Sequence, residues 1–108
     1  METETVAFML KMRPGKAEEY ERRHDELWPE MKELLLGAGI LHYEIYLEKE
    51  TNYLFGHIVR RRDHRMDTIP DSPMQQRWQA FMRDVLEQED GRSFRRPLRR
   101  VFLLEAGS

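Results

Sequence analysis

Apolar residues recur at every second position from Val6 to Met12, with Val6, Phe8, Leu10 and Met12 on one face, until Arg13-Pro14-Gly15 ends the run. A period of two predicts a strand. From Lys16 to about Leu36 the spacing becomes helical, through Ala17, Tyr20, His24, Leu27, Trp28, Met31, Leu34 and Leu35. Gly37 and Gly39 then supply stop signals. Pro29 lies inside this stripe. It removes one intrahelical hydrogen bond and crowds the carbonyl one turn back, so a kink or break is expected near Leu27 or Trp28.

Alternation returns in "ILHYEIYLEKETNYLFGHIVR", which predicts a hairpin with strands near Ile40–Glu48 and Asn52–Arg60. Leu41, Tyr43, Ile45 and Leu47 share one face of the first strand, and His42, Glu44 and Tyr46 the other. A second helix is expected from about Pro73 to Glu87, with Met74, Trp78, Phe81, Met82, Val85 and Leu86 as its stripe and Ser72 or Asp71 as its cap. "EDGRSFRRP" reads as a loop and "LRRVFLLE" as a last strand.

The order β-α-β-β-α-β predicts an α+β, ferredoxin-like fold: a four-stranded antiparallel sheet with both helices on one face. Apolar residues also appear on the other face, where Phe55 and Val59 alternate with Leu54 and Ile58. A second copy of the chain is the simplest cover for that face, so a homodimer is expected.

Composition narrows the classes. The 108 residues suit one domain spanning 1–108. A formal charge of −2 gives no net attraction to nucleic acid or an acidic membrane, although "RRRDHR" and "RRPLRR" are locally basic. The absence of cysteine excludes disulfides, thiolate metal sites and thiol nucleophiles. No apolar run approaches the roughly 18 residues of a membrane span, and "METETVAFML" lacks the basic start of a signal peptide. A cytoplasmic domain is expected.

Candidate chemistry gathers around Tyr20 and His24, which are four apart and therefore on one helix face. Tyr43 approaches them if its strand face meets the helices, and Trp78 approaches from the second helix. Alone, each has a plainer reading: Trp78 and Tyr43 as packing residues, His24 as a core or rim histidine. Together, a histidine and two phenols under an indole suit a neutral sugar, which needs a flat apolar surface and polar groups for its hydroxyls. The imidazole titrates near neutrality and suits proton transfer. His42 and His57 lie on neighbouring strands, but two histidines without a third ligand make a poor metal site, and His64 reads as a surface residue. No phosphate loop, dinucleotide fingerprint or Ser-His-Asp spacing is present, so no cofactor is expected.

From about Val6 to Leu103 the chain resembles the L-rhamnose mutarotases. "EEYERRHDELWPEM" (Glu18 to Met31) is the most specific block, supported by "HYEIYL" (His42 to Leu47) and "QRW" (Gln76 to Trp78). The resemblance implies a homodimeric α+β barrel, a dimeric α+β barrel fold that interconverts sugar anomers without cofactor. It puts the proton-donating histidine on His24 and substrate-contacting tyrosines on Tyr20 and Tyr43. The family commonly has paired tryptophans where this chain has Trp78-Gln79. An amide in place of the second indole leaves another 6-deoxy sugar, such as L-fucose, as a competitor to L-rhamnose. His24 is then expected to protonate the ring oxygen, with water or a phenol relaying the second proton, and Arg22 or Arg23 to lower its pKa if either points into the pocket. Cofactor-free monooxygenases, haem-degrading proteins and a non-enzymatic sugar-binding module are the alternatives, because the fold does not choose among them.

Overall fold

The computed structural model describes residues 2–107. Strand β1 (Thr3–Lys11) leads into α1 (Ala17–Asp25) and α2 (Pro29–Gly37), followed by β2 (Ile40–Glu48) and β3 (Tyr53–Arg61). A 3-10 turn (Met66–Asp71), α3 (Pro73–Met82), a small hairpin of β4 (Gln88–Glu89) and β5 (Arg92–Ser93), and β6 (Arg95–Leu98) complete the order. The main sheet runs β2-β3-β1-β6 with every pair antiparallel, the ferredoxin-like arrangement. Phe8, Leu10, Leu54 and Ile58 are buried on its inner face with Tyr20 of α1 and Met82 of α3. No helix is long and apolar enough to cross a membrane among the described residues.

The helical stripe breaks where Pro29 requires it. α1 ends at Asp25, and Leu27 N–H turns back to the His24 carbonyl at 3.2 Å. Trp28 is extended (φ −57°, ψ 133°), as the residue before a proline prefers, and Pro29 opens α2 at a position where its missing N–H costs nothing. Arg23 then ties α1 to the far end of α3: it donates to Asp84 Oδ1 at 2.8 Å and to the Phe81 carbonyl at 2.7 Å. Ser72 caps α3, accepting from Met74 N–H at 3.2 Å.

Three expectations change. α3 stops at Met82, not Glu87, because the next residues bend back to β1. Arg13 N–H donates to the Val85 carbonyl, Glu87 N–H donates to the Lys11 carbonyl, and Met12 and Leu86 form a β-bridge. This turn buries Val85 and Leu86 in the core without a helix. The last strand is Arg95–Leu98, paired with Ala7–Leu10, whereas Val101 to Leu104 leave the sheet and stand 53–84% exposed. Pro97 is tolerated in β6 because β6 is an edge strand. Finally, a bulge at the start of β2 pairs Ile40 with Arg60 and His42 with Val59. Ile40 takes the buried place and Leu41 is left exposed.

Gly56 of β3 sits opposite Phe8 on one side and Ile45 on the other. A Cβ at this position would fall inside the Phe8 ring, so only glycine lets that ring lie across the sheet.

Candidate active site

Tyr20, His24, Tyr43, Trp78 and Gln79 all border one cleft of about 990 Å³. Tyr20 and His24 are one turn apart on α1, with ring centroids 4.4 Å from each other. The Trp78 indole meets the His24 ring edge-on at 5.5 Å. Trp28, behind it, meets Trp78 at 5.2 Å, and Phe81 packs on both indoles. The residue that ends the helical stripe therefore also holds the aromatic wall upright. Register carries Tyr43 to the inner face: it pairs with Ile58, and its ring meets Phe8 edge-on at 6.0 Å.

His24 Nδ1 lies 3.0 Å from the Tyr20 carbonyl. A carbonyl only accepts, so Nδ1 carries the hydrogen and the neutral ring keeps a lone pair on Nε2. Burial lowers the His24 pKa, and the Tyr20 hydrogen bond and Asp25 oppose it without cancelling it. The arginines play no part in that shift. Arg22 is paired with Glu19 and Glu26, Arg23 with Glu19 and Asp84, and neither borders the cleft. Burial pushes the Tyr20 phenol above its ordinary value and the Tyr43 phenol up to about 12, so both remain donors at neutral pH.

The sequence reading missed Arg95. Its guanidinium stands 3.8 Å over the Phe8 ring, on the cleft wall and beside Tyr43. It makes no ion pair among the described residues. With the last strand placed after it, Arg95 reads as loop. The signal that would have found it is Pro97, which marks an edge strand beginning earlier.

The sequence model of the L-rhamnose mutarotases matches residues 5–104. This chain belongs to the L-rhamnose mutarotase family. It is 49% identical to the L-rhamnose mutarotase of Jannaschia sp. (strain CCS1), over 78% of this chain and 81% of that one. It is 44% identical to the L-rhamnose mutarotase of Burkholderia ambifaria, over 94% and 98%. The crystal structure of an L-rhamnose mutarotase from Formosa agariphila superposes with a TM-score of 0.82 at 34% identity, covering 94% of this chain and 99% of that one. A protein from Mycobacterium tuberculosis, 14% identical with a TM-score of 0.59, shares the fold alone.

For a member of this family, the cleft brings together one proton acceptor, two phenol donors, a guanidinium and an indole wall. Gln79 borders the cleft next to Trp78 but is exposed, so its amide meets a ligand only at the mouth.

Proposed function

We propose that this protein is a mutarotase that interconverts the α and β anomers of L-rhamnose or a closely related 6-deoxy hexose. The observation that carries the reading is His24: a neutral imidazole, its Nδ1–H committed to a backbone carbonyl, with Nε2 unbonded among the described residues and two protonated phenols on the same cleft. Ring opening needs a base at the anomeric hydroxyl and an acid at the ring oxygen. In this reading His24 Nε2 takes the anomeric proton, C1 becomes an aldehyde carbon as its bond to the ring oxygen breaks, and a proton reaches the ring oxygen. The two oxygens share C1, so the imidazolium can hand over the same proton, directly or through a water, with a tyrosine hydroxyl donating to the oxygen that carries charge. Rotation about C1–C2 followed by the reverse steps closes the ring on the other face. Tyr20 and Tyr43 hold hydroxyls, Trp78 offers a flat surface to C–H groups, and Gln79 selects at the mouth.

Family membership favours this reading over the monooxygenase and haem-degrading ones that share the fold. A homodimer formed through the outer sheet face goes with it, supported by half-exposed Phe55 and Leu98 and by the apolar run Val101–Leu104. The cytoplasm is the proposed compartment.

Saturation-transfer NMR of anomer exchange, run over 6-deoxy and ordinary hexoses, tests the activity. Exchange should be fastest for L-rhamnose or another 6-deoxy sugar. His24→Ala should slow it by at least about a hundredfold, the lower end for a lost acid or base, while sugar affinity changes less. Near-native exchange in folded His24→Ala would remove the residue from the reaction.

A further inference from the structure

We propose that His42, Glu44 and His57 form a binding site for one divalent transition-metal ion, zinc above others, on the outer face of the sheet. His42 and Glu44 are two apart on β2 and so project from the same face, and His57 of β3 pairs directly with Glu44. Glu44 Oε2 lies 3.1 Å from His42 Nε2 and 3.3 Å from His57 Nδ1, and the three donor atoms lie within 4.8 Å of one another. A tetrahedral ion with bonds of about 2.0–2.2 Å holds its donors about 3.4 Å apart, so the side chains need little movement to close on one.

Two independent observations point to a ligand. His57 Nδ1 is closed to solvent and makes no hydrogen bond among the described residues, although Glu44 Oε2 lies 3.3 Å away. A buried ring nitrogen without a partner is costly, and a metal would satisfy it. Tyr46, next on the same face of β2, donates its hydroxyl to Glu44 Oε1 at 2.7 Å. That bond fixes the carboxylate with Oε2 turned toward both imidazoles, the kind of outer support that orients metal ligands. Two imidazoles and one carboxylate favour zinc or its transition-metal neighbours over calcium and magnesium, which prefer oxygen alone. Three protein ligands leave the fourth position to water, or to a donor of a second copy where the proposed dimer covers this face.

The plain alternative is a half-exposed histidine–glutamate cluster that holds no ion. The site lies across β2 from Tyr43, at the β2 rim that His42, Glu44 and Tyr46 lend to the sugar cleft, but shares no residue with His24, Tyr20 or Trp78. Bound metal would clip the edge strand β2 to β3 and raise thermal stability by mass action.

Zinc chloride titrated calorimetrically into untagged, metal-stripped full-length protein tests this. One zinc should bind per chain. His42→Ala and His57→Ala should each weaken binding at least tenfold, and Tyr46→Phe about tenfold, as for other lost outer-shell bonds. His24→Ala should bind as the native chain does. Cobalt(II) in place of zinc should give the strong visible bands of a four-coordinate ion in the native protein, and His57→Ala should lose them. Zinc affinity unchanged by His42→Ala plus His57→Ala, or a weak six-coordinate cobalt spectrum in the native protein, would overturn the proposal. The native cobalt spectrum decides even where a variant does not fold.

Discussion

Burial keeps His24 neutral at pH 7, and the sign of that shift reaches two observables. If Nε2 acts first as a base, exchange is fully supported above the ordinary histidine value of about 6.5 and falls as pH drops through the lowered pKa. The pH–rate profile should therefore show one acid limb below about 6.5 and no alkaline limb near neutrality, because both phenols stay protonated there. Stability follows the same sense. Between the lowered pKa and about 6.5 the unfolded chain binds the extra proton, so stability declines as pH falls through that window. Urea midpoints measured against pH should flatten there in His24→Ala; an acid limb centred above 7 would contradict the assignment. Gln79 is the residue to change for selectivity. Gln79→Trp should raise the preference for L-rhamnose over other hexoses in competition NMR, because a second indole extends the apolar wall beside Trp78. An unaltered profile would place the side chain in solvent.

Elements whose cause is local are legible in the sequence, and those set by distant partners are not. Pro29 acts on its own neighbours, so the break between α1 and α2 could be read from sequence, as could a cap at Ser72 or Asp71, of which Ser72 is the one used, and the strand face that Tyr43 shares with Ile45 and Leu47. The end of α3 could not, because the turn that buries Val85 answers to Met12 and Arg13 some seventy positions earlier. Nor could the meeting of His57 with His42 and Glu44: alternation puts the last two on one face of β2, but His57 joins them through hairpin register after a bulge at Leu41, which periodicity does not reveal. Arg95 escaped for a similar reason, since four apolar residues further on drew the last strand away from it. Gly56 shows how one such long-range fit supports the cleft. Gly56→Ala would force the buried Phe8 ring off the sheet, and that ring is flanked by Tyr43 and Arg95. Overpacking of this kind costs about 1–3 kcal/mol. The variant should lose that much in urea unfolding and bind sugar more weakly than Trp78 and His24, both intact, would allow. Native stability in Gly56→Ala would mean that the sheet yields at β3.

At the scale of the whole molecule, the outer sheet face and the segment after β6 are unfinished. Val101, Phe102, Leu103 and Leu104 stand exposed in sequence, shortly after Leu98, and are on the whole more open than the other exposed apolar residues of the chain, such as Phe55 and Leu98. Such a run is costly in water and fits a second copy laid against the first. Sedimentation equilibrium at micromolar concentration should find a dimer, and Phe102→Glu with Leu104→Glu should shift it to monomer while leaving far-ultraviolet dichroism intact. A native monomer would set the homodimer aside. A dimer completed in this way gives the exposed run a consequence in time. In such a dimer the sheet and helices draw on contacts within one chain, whereas Val101–Leu104 would find shelter only on meeting a second chain. Refolding would then end in a bimolecular step whose rate rises with protein concentration. In dilute solution, where partners meet rarely, the waiting run would be the place where proteases cut first and where aggregation begins.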